Sequence, residues 1–226
     1  RKGTFPSGPI TGDSLFEQFA GQIERETKRY GQAVPWCIMT SPLNHESTVA
    51  FFEQHHHFGL DPSTVHFFTQ GVMPSVDRES GKVLLAAADA IAFNPDGHGG
   101  TLRALAGSGL LSTLRRQGIE HLSYFQVDNP LVRALDPVLL GLHIGDSVSS
   151  GEVTSKAVAK RSADEKVGVF GVQDGQLTVL EYSDLDPGVC EATDAHGKLK
   201  FRAGNMAVHA FGLDFLDRLT KGTGLP

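Results

Sequence analysis

Apolar runs alternate with helix-spaced patterns through the first part of the chain, and with period-two runs later. PWCIMTS (35–41) predicts a short buried strand. HESTVAFFEQHHHFGL (45–60) puts Val49, Phe52 and His56 at helical spacing, with Gly59 as the stop. DPSTVHFFTQ (61–70) predicts a turn and a second strand, and KVLLAAADAIAFNP (82–95) predicts extended segments after the turn DRESGK. GGTLRALAGSGLLSTLRRQG (99–118) predicts one helix, or two broken at Gly107–Gly109. HLSYFQVDN (121–129) predicts a third strand, apolar until Asp128, and DPVLLGLHIG (136–145) a helix. Then come EVTSKAVAK (152–160), VGVFGVQ (167–173) and LTVLEYS (177–183), with Asp174-Gly175 as a hairpin turn. A polar loop, the run FRAGNMAVHAF and a helix LDFLDRLT follow. Strand–helix alternation first and hairpins later predict an α/β fold. Its sheet is expected to be mixed and mainly parallel, with helices on both faces and an antiparallel extension. No internal repeat or linker divides residues 1–226, which are expected to form a single domain.

Composition narrows the function. The 226 residues are 40% hydrophobic and 20% charged, an ordinary globular balance. No apolar run approaches the roughly 20 residues that span a bilayer, and RKGTFPSGPITG lacks the apolar core of a signal peptide, so no membrane partner is expected. The two distant cysteines, Cys37 and Cys190, form no disulfide framework, which points to a reducing cytoplasm and to packing roles. A net charge of −6 without a Lys/Arg run argues against nucleic acid, while a small anionic substrate needs only a few local cations.

Candidate chemistry starts at NPDGHGG (94–100), since so many glycines cost backbone entropy unless the chain must approach something closely. In open α/β sheets, ligands sit beyond the carboxyl ends of strands. Gln70 ends one predicted strand, the glycine loop joins a strand to a helix, and Asp128-Asn129 ends another. A carboxylate at a strand end, facing a phosphate, commonly holds a divalent cation such as Mg²⁺. Each feature also has a plainer reading: the glycines as a turn, and Asp128-Asn129 as a cap before Pro130. Found together at one sheet edge, they favour a nucleotide-sized pocket. His55-His56-His57 is read as a solvated helix face, because consecutive helical residues point about 100° apart. Ser108 lacks the strand–turn–helix context of a nucleophile elbow. His209 is read as a satisfied core histidine, and Arg115-Arg116 as an outer helix face.

The chain resembles the UDP-sugar pyrophosphorylases, in particular the UDP-N-acetylglucosamine pyrophosphorylase group. The resemblance rests on ordered blocks: KGTFPSGPITGDSLFEQFAGQI, PWCIMTSPLNHESTVAFFEQHHHFGL, VHFFTQGVMP, NPDGHGGTLRAL, YFQVDNPLV, LEYSD and FRAGNMAVHAF. It implies the Rossmann-like fold of nucleotide-diphospho-sugar transferases, and a uridylyltransferase making a UDP-sugar and pyrophosphate from UTP and a sugar 1-phosphate. It also implies roles: Lys2 on the UTP phosphates, Gln70 and Gly97 on the uracil edge, and Asp128 by the α-phosphate and Mg²⁺. Glu181 and Asn205 would bind sugar hydroxyls or the N-acetyl group, and Lys156 and Lys160 lie in a strand where the family carries lysines. His98 stands where many N-acetylglucosamine enzymes have asparagine and UDP-glucose types have histidine. That histidine leaves glucose, galactose and N-acetylglucosamine 1-phosphates open; the resemblance as a whole favours N-acetylglucosamine 1-phosphate, with glucose 1-phosphate next. The family places a glycine-rich loop before Lys2, proline where this chain has Arg1, and a further phosphate-binding lysine in a later segment. The chain is thus expected to be a fragment. Two rivals stand beside this reading: a UDP-sugar-dependent glycosyltransferase, although VDN lacks the second acid of a D-x-D element, and a non-catalytic UDP-sugar-binding relative.

Overall fold

The computed structural model describes residues 2–221; Arg1, which stands in place of the family's proline, and the run 222–226 lie outside the described residues. The chain forms two compact units, Arg1–Glu120 with Leu213–Pro226, and His121–Gly212.

In the first unit, α1 (Leu15–Tyr30) buries Leu15, Phe19, Ala20 and Ile23. It lies outside the elements predicted from periodicity, yet its start signal is present in the sequence. Ser14 caps the helix by accepting the Glu17 N–H at 3.2 Å, a Ser-x-x-Glu pattern at the first turn. β1 (Trp36–Thr40) and β2 (Val65–Thr69) form a parallel pair, in register from Trp36↔Val65 to Thr40↔Thr69. Between them, α2 (His45–Gln54) carries Phe52, which has no exposed surface. Its ring centroid lies 5.0 Å from Phe16, 5.4 Å from Trp36, 5.0 Å from Phe58 and 5.1 Å from Phe67. This aromatic cluster explains why the helix stops earlier than predicted. To bring Phe58 back onto Phe52, the chain runs left-handed through His56, His57 and Phe58, with φ of 50°, 52° and 55°. That conformation costs non-glycine residues about 1–2 kcal/mol each. The three histidines therefore do not share a helix: His55 ends α2 and stacks on Phe58 with centroids 5.4 Å apart.

Beyond β2 the chain makes an exposed excursion. β3 (Val72–Pro74) pairs antiparallel with β6 (Phe93–Pro95), and β4 (Leu85–Ala87) with β5 (Ala90–Ile91). Two helices follow, α3 (Thr101–Gly107) and α4 (Leu110–Arg116), separated at Ser108–Gly109 as the glycines predicted.

The second unit is antiparallel. Its elements are β7 (His121–Tyr124), α5 (Pro137–Gly145), β8 (Val153–Ala159), β9 (Val169–Gln173), β10 (Gln176–Leu180), α6 (Pro187–Glu191) and β11 (Ala203–Gly212). β11 is the spine. β8 pairs along one edge, while β9 meets the other edge at Gly204 and β7 meets it at His209–Gly212. Asp174 and Gly175, at φ 51° and 77°, make the predicted two-residue turn between β9 and β10. α6, capped where Asp186 accepts the Gly188 N–H at 2.9 Å, lies in the stretch predicted as a polar loop. α5 starts on Asp136, which accepts the Val138 N–H at 3.0 Å. It buries His143 completely, and desolvation holds that imidazole's pKa below its ordinary value. After β11 the chain returns to the first unit as α7 (Leu213–Lys221), where Asp214 accepts from Arg115 on α4 at 2.7 Å. The exposed Arg115-Arg116 pair thus sits on an outer face, as expected.

The fold is α/β, but its sheets are small and mostly antiparallel, with β1–β2 the parallel ladder among the described residues. The third predicted strand ends at Tyr124 and takes β11 as its antiparallel neighbour. No described helix is long and apolar enough to cross a membrane. Phe52→Ala is expected to destabilise the protein by about 3–5 kcal/mol, measured by denaturant unfolding, because it empties the centre of the aromatic cluster.

Candidate active site

In the first unit, backbone pairing joins residues far apart in sequence. The Gln70 N–H donates to Thr40 O at 2.8 Å, which ties the end of β2 to the end of β1. Two residues on, β3 enters its ladder with β6, Val72↔Pro95 being the first rung, and the Asp96 N–H adds a bond to Gly71 O at 3.1 Å. Gln70 and the Asp96–Gly97–His98 turn thereby come together. Gly97 has φ 83° and ψ 178°, a conformation essentially restricted to glycine, with nothing within 4 Å of where a Cβ would stand. The glycine is required by its backbone angles before any ligand is considered. His98 is exposed and opens the short turn His98–Gly100, where Thr101 Oγ1 donates to its carbonyl at 2.6 Å. Asp96 was not singled out from the sequence, although it lies inside NPDGHGG. Its carboxylate packs against Gly71 and Gly100.

In the second unit, Glu181 and Asn205 meet around one glycine. The Asn205 N–H donates to Gly168 O at 2.7 Å, and Glu181 Oε1 would lie 3.2 Å from a Cβ on that glycine. Asn205 opens a bulge in β11: its register with β8 shifts before His209, and Ala207 adopts φ 52°. The Asn205 Oδ1 accepts the Ala207 N–H at 2.9 Å, so the amide is held with its Nδ2 donor turned away from that bond. Asp128 is exposed in a turn beyond β7, not at the strand's last residue. Tyr124 pairs with His209 and the strands run oppositely, which directs residues 125–128 toward the Asn205 end of β11. His209 is half-buried, with Nδ1 bonded to Ser155 Oγ at 2.7 Å and its ring stacked on Tyr124.

The lysines differ. Lys2 is exposed in a turn whose Gly3 carbonyl accepts the Phe16 N–H at 3.0 Å. Lys156 is committed to an ion pair with Asp136. Lys160 is buried and donates to Ala163 O at 3.3 Å. Among the described residues no three His, Cys, Asp or Glu side chains cluster as a metal cage. An exposed single carboxylate at Asp128 suits Mg²⁺, which takes most of its ligands from phosphate and water.

The family described as UTP–glucose-1-phosphate uridylyltransferase matches residues 10–225. The chain belongs to that family. UDP-N-acetylglucosamine diphosphorylase 2 of Arabidopsis thaliana is 38% identical over 98% of this chain and 46% of its own length. UDP-N-acetylglucosamine pyrophosphorylase of Saccharomyces cerevisiae is 36% identical over 96% of this chain and 46% of its own. The crystal structure of the uridine diphosphate N-acetylglucosamine pyrophosphorylase from Trypanosoma brucei superposes with a TM-score of 0.85 at 31% identity, covering 97% of this chain and 45% of that one. A UDP-glucose pyrophosphorylase from Leishmania major, at 19% identity and TM-score 0.76 over 100% of this chain and 48% of its own, shares the fold. The chain spans about half the length of the curated relatives it matches. The resemblance drawn from ordered motifs therefore holds, and with it an α/β nucleotidyltransferase fold.

Gly97→Ala is expected to cost roughly 1–3 kcal/mol of local stability through backbone strain alone. It should appear as faster amide exchange at residues 97–101 without ligand; unchanged exchange would contradict the assigned backbone. For Asp136, the Lys156 ammonium, followed by the Val138 N–H, holds the carboxyl below its ordinary value against an opposing effect of burial. Its pKa is lower folded than unfolded (about 3.9), so its stabilisation is present above pH ~4 and fades as pH falls through the folded value. Urea unfolding across pH 2–6 should therefore show a flatter acid limb for Asp136→Asn.

Proposed function

We propose that the chain carries the nucleotide-binding and transfer domain of an enzyme making a UDP-sugar and pyrophosphate from UTP and a sugar 1-phosphate. N-acetylglucosamine 1-phosphate is favoured and glucose 1-phosphate is next. Family membership and the names of its relatives support this reading. The observation that carries it is the joining of Gln70 to Gly97 by the β3–β6 ladder. Uracil presents an N–H flanked by two carbonyls, and a glutamine amide beside an unobstructed backbone complements that edge. The finer fold reading is a Rossmann-like sheet, supported by the parallel β1–β2 pair with Gln70 at its carboxyl end.

In the first unit, Lys2 neutralises UTP phosphates, Gln70 and Gly97 read the base, and His98 contacts the ligand beside the glycine loop. In the second unit, Asp128 holds Mg²⁺, while Glu181 accepts from sugar hydroxyls and Asn205 donates through Nδ2 to a hydroxyl or an N-acetyl carbonyl. Bound Mg²⁺ supplies charge neutralisation at the phosphates. A sugar-phosphate oxygen attacks the α-phosphorus in line; the new P–O bond forms as the bond to the β-phosphate breaks, and pyrophosphate departs. No side-chain nucleophile is needed, so positioning and charge supply the acceleration. Cys37 fits this, because burial pushes its thiol up to about 11 and leaves it unreactive near neutrality. A cytoplasmic setting suits these substrates and the two free thiols.

Pyrophosphate release from UTP and Mg²⁺ should be measured with glucose, galactose, N-acetylglucosamine and N-acetylgalactosamine 1-phosphates. Release with N-acetylglucosamine 1-phosphate foremost is expected, and none from folded protein that binds a UDP-sugar would favour the binding-only relative. Asp128→Ala should lower turnover by about 10²-fold or more, the scale for losing one group that stabilises transition-state charge, and should abolish its dependence on Mg²⁺ concentration.

A further inference from the structure

We propose that Asp96 is a positioning residue for the base-reading edge, its carboxylate acting as a spacer that sets the separation of Gln70–Gly71 from Gly97–Gly100. This rests on the proposed uridine site. Asp96 occupies the rung beyond Val72↔Pro95, with its N–H bonded to Gly71 O at 3.1 Å. From there the side chain turns into the gap between strand end and glycine loop. A Cβ on Gly71 would collide with Asp96 Oδ2, and a Cβ on Gly100 would stand 2.5 Å from Oδ2 and 2.6 Å from both Cγ and Oδ1. Two glycines from different segments thus leave room for one carboxylate. Its Oδ1 is fully buried and has no hydrogen-bond partner among the described residues. A buried acceptor left unpaired costs stability, so local bonding does not explain the residue. Filling the gap does: the carboxylate occupies space that would otherwise let the loop settle onto the strand and shift Gly97 relative to Gln70.

A spacer works through size. Asparagine has the same shape and should substitute, glutamate is one methylene too long for the glycine gap, and alanine leaves it empty. Shifting the two base-reading segments affects which base they accept, because cytosine exchanges uracil's N–H donor and carbonyl acceptor for an acceptor and an amino donor.

The test uses the intact protein and two readouts. Amide hydrogen exchange without ligand should rise at residues 71–73 and 97–101 in Asp96→Ala, with global melting temperature and exchange in β1 unchanged. UTP affinity should fall about tenfold and the preference for UTP over CTP should narrow. Asp96→Asn should restore both readouts, and Asp96→Glu should restore neither. Unchanged exchange and base preference in Asp96→Ala would overturn the proposal, as would failure of Asp96→Asn to recover either. If Asp96→Ala does not fold, Gly71→Ala presses on the same carboxylate from the strand side and should give the same two shifts. Failure of the uridine reading looks different: the unmodified protein would bind no UTP, while the exchange difference would stand.

Discussion

Backbone hydrogen bonds between β3 and β6 connect Gln70 to Gly97, and the candidate site of the first unit depends on them. The intervening hairpin is exposed along nearly its whole length and adds almost nothing to the apolar core. Its value is geometric. Gln70 is pinned to β1 through Thr40, Gly71 is pinned to Asp96, and the glycine loop therefore starts from a fixed point on a rigid strand end. The packing behind that point is the aromatic cluster around Phe52, which holds α2 against the parallel pair. Two strained segments of the first unit bear on this arrangement. The left-handed run His56–Phe58 is offset by packing the half-buried Phe58 ring against Phe52, whereas the strained angles of Gly97 are placed where only glycine accepts them.

β11 performs the corresponding service in the second unit. It borders β7, β8 and β9, and its bulge at Asn205–His209 turns a side-chain amide so that its oxygen is taken by the chain itself. Glu181 arrives at the same glycine from the end of β10, so two polar groups distant in sequence converge beside Gly168. An amide presenting a donor beside a carboxylate presenting acceptors suits a polyhydroxylated ligand carrying a carbonyl.

Lys156 on β8 and Lys160, one residue beyond its end, show how surroundings change a residue's meaning. In sequence, Lys156 and Lys160 look equally available to a phosphate. In the fold Lys156 is tied to the Asp136 cap of α5, and Lys160 is buried beside Ala163. Lys2, in the first unit, is exposed.

Element positions were largely legible in the sequence, because periodicity, turn residues and glycine breaks are local properties. The β1 and β2 strands, the break between α3 and α4, and the Asp174-Gly175 turn follow from them. So does family membership, since ordered motifs survive in one dimension, and with it the candidates Lys2, Gln70, Gly97, His98, Asp128, Glu181 and Asn205. Strand partners were not legible, because hydrogen-bond register is settled between segments that sequence does not juxtapose. The apolar stretch after residue 120 reads equally well as a parallel core strand or as an antiparallel neighbour of β11. Likewise, nothing in NPDGHGG announces that its aspartate fills a gap left by Gly71, a residue beyond the far end of the hairpin. That relation exists only once the ladder has closed.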